Sequence, residues 1–245
     1  MISLCIPTMN RFDSFLSYSL QHYVKYLQDG LIEEIHICDE NGNDYAKIME
    51  VYKDIPRFHV YKNDTVLGVF KNKMKVCSKA TCEYVALIDS DNFCDASYFI
   101  KAKEYITNTS CQNCIIAPSF AKPQFDYTFF NNSIITKKNL KQYFHVKNFQ
   151  TFLNTGNYII HRNLLNIVHD DSISLQISAC DVLYFNLLMF QQMDGFEIHI
   201  VENLHYTHVV HNGSTYLNTV NQCRSCIDSY VMPSYIKLIN SFEQD

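Results

Sequence analysis

The chain has 245 residues, a net charge of −5 and an isoelectric point near 6.0. It carries no basic excess, so it lacks the electrostatic footprint of a phosphate-backbone binder, and nucleic acid is not expected as a partner. Charged residues make up 18% and hydrophobic ones 47%, against roughly 25% charged in ordinary soluble domains, so much of the surface must be neutral polar and Tyr-rich. The length suffices for one α/β core, and no Pro/Gly/Ser-rich stretch divides it; a single domain over 1–245 is expected. The opening apolar run ends at Pro7, too soon for a signal peptide. No stretch of about 18 apolar residues follows, which excludes a transmembrane segment and predicts a cytoplasmic chain. Ten cysteines then read as reduced thiols. Two CxxC pairs occur, Cys111/Cys114 and Cys223/Cys226, but zinc ribbons bring the second pair about 15–20 residues after the first, and these lie much farther apart.

Short apolar runs alternate with amphipathic segments through the first hundred residues. Strands are predicted over 2–6, 34–38, 58–61 and 84–88, with helices over 12–27, 45–52 and 69–78 between them. Four βα units in succession predict an α/β fold with a Rossmann-like, nucleotide-binding half over 1–100, whose ligands sit outside the carboxyl ends of the strands. The remainder, 101–245, is less regular. It predicts mixed strands and loops over 118–152, a strand over 158–161, a helix over 175–191, a strand over 196–201, a His-rich loop and a terminal helix over 227–242. The central sheet is therefore expected to be mixed, with helices on both faces.

The strand over 84–88 delivers Asp89-Ser90-Asp91 to its carboxyl end, and Asn92 suits a turn there. Two carboxylates one residue apart can hold a hard divalent cation that a substrate diphosphate completes. Alone, the tripeptide fits equally a solvated turn that caps a helix. Asp181 is the other carboxylate that asks for a reason, because Ile177, Tyr184 and Phe185, its neighbours at helical spacing, are apolar or aromatic. His205, His208 and His211 recur at spacing three, a density that points to a metal or phosphate contact.

The order of these segments resembles that of the family 2 glycosyltransferases and their GT-A relatives. Ile2-Ser3-Leu4-Cys5-Ile6-Pro7-Thr8-Met9-Asn10-Arg11 looks like their opening strand and nucleotide-binding turn. The strand ending at Asp39 is similar to the one whose acid contacts base or ribose. The run from Asn63 through Gly68 to Asn72 and Lys73 looks like the loop and helix start before the DxD strand. The likeness covers about residues 2–100; beyond it, Asn154-Thr155-Gly156-Asn157-Tyr158 resembles the segment beneath donor sugar and acceptor. The resemblance implies a GT-A fold and a nucleoside-diphosphate sugar donor, UDP-linked by expectation. It also implies a glycan or other hydroxyl acceptor, and Mn²⁺ or Mg²⁺ held by Asp91 and Asp89 with His208 or His211. Donor contacts are implied for Pro7, Thr8, Asn10, Arg11, Asp39, Gly68, Asn72, Lys73, Ser90, Asn157 and Ser214, with Tyr216 near the diphosphate. Asp181 matches the general base of inverting members, with Asp170 and Asp171 as fallback. Those members carry Glu-Asp; here Cys180 replaces the Glu.

The expected reaction is a single displacement with inversion at the anomeric carbon. A sugar-phosphate nucleotidyltransferase would want a Gly-rich loop after the first strand, and Pro7 to Arg11 contains no glycine. A non-catalytic binding module of the same fold is the other alternative, and Cys180 is its best support.

Overall fold

The computed structural model describes residues 1–109, 112–166, 173 and 176–241. The chain runs β1 (Ile2–Thr8), α1 (Ser17–Gln28), β2 (Glu34–Asp39), α2 (Tyr45–Tyr52), β3 (Phe58–Lys62), α3 (Val69–Cys77) and β4 (Tyr84–Leu87). It continues through α4 (Ala96–Asn108), β5 (Cys114–Lys122), β6 (Phe125–Asp126), β7 (Ile134–Thr136), α5 (Leu140–Phe144), α6 (Phe149–Leu153) and β8 (Tyr158–His161). The last elements are α7 (Asp181–Gln192), β9 (Glu197–Thr207), α8 (Thr215–Cys226) and α9 (Met232–Asn240).

A nine-stranded sheet of order β3-β2-β1-β4-β8-β5-β9-β7, with β6 on β5, passes through both halves. The first four strands are parallel, as the βα repeats predict. β8 then enters antiparallel between β4 and β5 and makes the sheet mixed. Strand alternation sends neighbouring side chains to two cores, one on each face. Cys5, Cys38, Val85, Leu87 and Ile160 join one, while Leu4, Ile6, Ile35, Ile37, Ala86 and Ile159 join the other. Strands buried on both faces are the reason these segments read as continuous apolar runs.

Several boundaries differ from the sequence reading, each for a local reason. The helix predicted over 12–27 opens as a π turn at Phe12–Leu16, where the Phe15 and Leu16 amides both reach the Arg11 carbonyl at 3.0 Å. The helix predicted over 175–191 starts at Asp181, with Cys180 as its N-cap. The side chain of Cys180 makes no capping hydrogen bond. Residues 181–190 are buried all round, as a helix threaded through a core must be. β9 extends to Thr207, so His205 lies in a strand that pairs with β5 and not in a loop. The terminal helix predicted over 227–242 is a π turn at Ile227–Val231 followed by α9. Helix α8 before it has only Cys223 and Cys226 buried, too sparse an apolar face to show as periodicity. Cys114 is disulfide-bonded, against the expectation of reduced thiols throughout, and eight other cysteines are free. Among the described residues no helix is long and apolar enough to cross a membrane.

Candidate active site

A cleft of about 1100 Å³ opens over the carboxyl ends of β1 and β4 and the amino end of α7. Beneath it, the side chain of Lys73 is 9% exposed, and its Nζ lies 2.8 Å from Asp89 Oδ1 and 2.9 Å from Asp181 Oδ2. One ammonium thus ties the end of the DxD strand to the first turn of α7. Burial works against the charge of Lys73, yet Asp181 and Asp89 together hold it well above the usual lysine range. Burial pushes the Asp181 carboxyl up, and the Lys73 charge opposes that shift. The result is a buried carboxylate of raised basicity facing a cleft, the combination found at acid–base sites.

Asn157 fixes Asp89 from the other side. Its backbone is left-handed, φ 61°, a conformation Asn tolerates better than most residues. Its Oδ1 accepts the Asp89 amide at 2.8 Å, and its own carbonyl accepts from the Tyr98 hydroxyl at 2.8 Å. A Cβ on Gly156 would meet Asp89 Oδ2 at 3.4 Å and Val182 Cγ2 at 3.5 Å, ordinary van der Waals distances, so the backbone here runs directly beside Asp89 and the first turn of α7.

Asp91 points away from this pair. Its Oδ2 lies 3.0 Å from His211 Nε2 and 3.7 Å from Arg11 Nε, and Arg11 Nη2 donates to the Gly213 carbonyl at 2.6 Å. His208 lines the cleft, and its buried Nδ1 has no hydrogen-bond partner. Burial lowers its pKa, against the pull of Asp89 and Asp91, which favours the neutral, ligand-competent imidazole. A carboxylate, a neighbouring imidazole and a second imidazole with an orphaned nitrogen are donors that fit a divalent cation. The four expected ligands do not close into one compact cluster. Among the described residues, the only group of three such side chains with ligand atoms within 4.8 Å of one another is Glu34, His36 and His59, elsewhere in the sheet. Asp89 is turned to Lys73 and Asn157 instead.

The turn after β1 is held by a residue the sequence did not single out. Asp44 Oδ2 accepts from the Thr8 hydroxyl at 2.8 Å and the Arg11 amide at 2.9 Å, and Oδ1 accepts the Phe12 amide at 3.1 Å. Replacing Asp44 with Ala is expected to lower unfolding free energy by about 2–4 kcal/mol through three lost charge-assisted bonds. Urea denaturation would check this, and a change below about 0.5 kcal/mol would contradict it.

Asp39 is fully buried and outside the cleft lining; its Oδ2 accepts the Asp44 and Tyr45 amides at 2.8 Å each. Glu40, the next residue, lines the cleft instead. Its carboxylate accepts the Leu67 amide at 2.7 Å, the Gly68 amide at 2.5 Å and Asn63 Nδ2 at 2.8 Å. Gly68 caps α3 at φ 85°, a conformation that favours glycine.

Of the other predicted residues, Pro7, Thr8, Arg11, Gly68, Asn72, Lys73, Asp89, Ser90, Asp91, Asn157, Asp181, His208, Ser214 and Tyr216 all line the cleft. Asn10 stands outside the lining, accepting from Asn41 and Asn43 on the surface, and His211 sits behind Asp91. Asp170 and Asp171 lie outside the described residues. Acidic residues clustered at 39, 40 and 44 were the available signal for Glu40 and Asp44.

Comparison with solved structures places this architecture among GT-A enzymes. The chain is similar to TarS from S. aureus (residues 1–349) in complex with UDP-GlcNAc, at 16% identity and a TM-score of 0.65, covering 88% of this chain and 60% of that one. The same protein in complex with UDP matches at 16% identity and 0.62, covering 85% and 60%. Glucosyl-3-phosphoglycerate synthase from Mycobacterium tuberculosis, in complex with Mn²⁺, UDP and phosphoglyceric acid, matches at 14% and 0.61, covering 98% and 78%. The chain therefore spans about three fifths of that TarS structure. No curated protein matches the sequence. The sequence profile described as Glycosyl transferase family 2 matches residues 3–168, well over half of the chain, and the protein belongs to that family.

Proposed function

We propose that the protein is an inverting, metal-dependent transferase that moves a sugar from a nucleoside-diphosphate sugar, UDP-linked, to a hydroxyl of a glycan or other acceptor. The observation that carries this reading is the Asp89–Lys73–Asp181 bridge. It sets a buried carboxylate of raised basicity one cation away from the strand end where a donor would lie. The complexes of TarS with UDP-GlcNAc and of the mycobacterial synthase with UDP and Mn²⁺ support the choice of donor and ion by analogy.

In this reading Asp181 accepts the proton of the acceptor hydroxyl as that oxygen attacks the anomeric carbon and the bond to the diphosphate breaks. Lys73 keeps Asp181 ionised in the resting site and fixes its orientation. Arg11, beside Asp91 on the cleft wall, would offer its guanidinium to the diphosphate. Asp91, with His211 and His208, would hold the divalent cation, which supplies positive charge to the departing nucleoside diphosphate. Asp89, locked against Asn157 and Lys73, serves the ribose side.

A thermal-shift panel of nucleotide sugars with and without Mn²⁺ tests the reading. One UDP-sugar is expected to raise the unfolding midpoint only when the ion is present, and Asp91→Ala is expected to remove that rise. A rise independent of the ion, or one that survives Asp91→Ala, would sink the metal assignment.

A further inference from the structure

Glu34 and His36 lie on β2, and His59 on β3 is the register partner of His36. Strand alternation puts the three on one face of the sheet, with Ser3 and Cys5 of β1 beside them. Glu34 opens β2, whereas the cleft begins at Glu40 beyond its far end. At about 3.3 Å per residue the group stands roughly 13–20 Å from the cleft.

We propose that Glu34, His36 and His59 form a second, separate metal site, for Zn²⁺ or a similar late divalent ion, that ties the edge strand β3 to β2. The ligand atoms of the three side chains all lie within 4.8 Å of one another. His36 is 3% exposed, and its Nε2 faces Glu34 Oε1 at 3.2 Å without forming a hydrogen bond. A buried nitrogen in that position has lost water and gained only the charge of the facing carboxylate.

The surroundings are built as an outer shell. Tyr61 Oη lies 3.2 Å from His36 Nδ1 and fixes the ring with Nε2 turned inward. Glu34 Oε1 is held by the Ser3 hydroxyl at 2.6 Å and by the amide and hydroxyl of Thr81 at 2.6 and 3.0 Å, and Oε2, which accepts from the Thr81 hydroxyl at 3.0 Å, keeps lone-pair capacity for an ion. His59 is exposed and stacks on His36 with ring centroids 4.9 Å apart, so it can rotate to complete the set. Of the cations around the group, Lys79 is exposed and lies over the Tyr61 ring at 5.3 Å, and Arg162 is held on the Thr81 carbonyl at 2.6 Å. Two imidazoles and a carboxylate select zinc-like ions over Mg²⁺ or Ca²⁺ and leave a fourth position for water.

The test uses the full chain stripped of metal. Zn²⁺ titrated by calorimetry is expected to bind and to raise the unfolding midpoint. His59→Ala, a surface change that leaves the core intact, is expected to weaken binding at least tenfold, as is His36→Gln. In an Asp91→Ala background, which removes a ligand of the cleft, Zn²⁺ binding that depends on His59 is expected to persist. The Co²⁺ form should show tetrahedral visible bands without a thiolate charge-transfer band. Absence of binding, binding that survives His59→Ala in the Asp91→Ala background, loss of the His59-dependent binding in Asp91→Ala, or a thiolate band pointing to the free cysteines would each overturn the proposal.

Discussion

Asp181→Asn is expected to cut the transfer rate by about 10²- to 10⁴-fold while leaving donor binding intact, because it removes the proton acceptor and little else. Among the described residues, the carboxylates that line the cleft are Glu40, Asp89, Asp91, Asp181 and Asp228, and their partners sort them. Glu40 is saturated by two amides and Asn63. Asp89 is held by Lys73 and Asn157, and Asp91 by His211 and Arg11. Asp228 is 66% exposed and paired with Arg224 at 3.6 Å. Burial raises the pKa of both Glu40 and Asp181, but the Glu40 oxygens are taken by two amides and Asn63, whereas Asp181 is held by the Lys73 ammonium. The acidic limb of the rate profile should therefore fall above the ordinary carboxylate range, with activity lost as pH drops through it. Rate assays and NMR of the product decide the matter together. A rate within tenfold of the parent would move the role to Asp228, and retention of anomeric configuration would remove the single displacement altogether.

The amino-terminal half was legible because its strands are buried on both faces, so apolar runs and connecting helices mark themselves. Position along a strand was less legible. Asp39 was taken as the ligand-facing acid, but it is the last residue in register with Thr8 and Lys62. A shift of one residue reverses the face a side chain meets, and Glu40 receives the cleft. The partnership of Asn157 with Asp89 spans 68 residues and depends on β8 entering antiparallel beside β4, a pairing no local pattern encodes. The same holds for Lys73: its place on α3 was predicted, but its two carboxylates come from separate elements that meet only after folding. The His cluster was visible as composition, yet backbone geometry divides it. His205 continues β9, His208 faces the cleft and His211 backs Asp91.

Lys73→Met is expected to destabilise the fold by about 3–5 kcal/mol, since it keeps the volume of the side chain and leaves two carboxylates without their shared cation. The Asp181 side chain is 11% exposed and that of Asp89 is 29% exposed, so water can rescue Asp89 in part and Asp181 hardly at all. For a domain of this size the loss corresponds to a drop of roughly 6–20 °C in unfolding midpoint. The asymmetry makes the prediction specific. Adding Asp181→Asn to Lys73→Met should recover much of the loss, because the double variant no longer buries an unpaired charge, whereas adding Asp89→Asn should recover less. Lys73→Met should also move the acidic limb of the rate profile further up, because Lys73 is the group that opposes the burial of Asp181. Calorimetric scans of the single and double variants measure the coupling directly. If Lys73→Met costs less than about 1 kcal/mol, or if Asp89→Asn rescues it better than Asp181→Asn, the bridge is not the element that joins α3, the DxD strand end and α7.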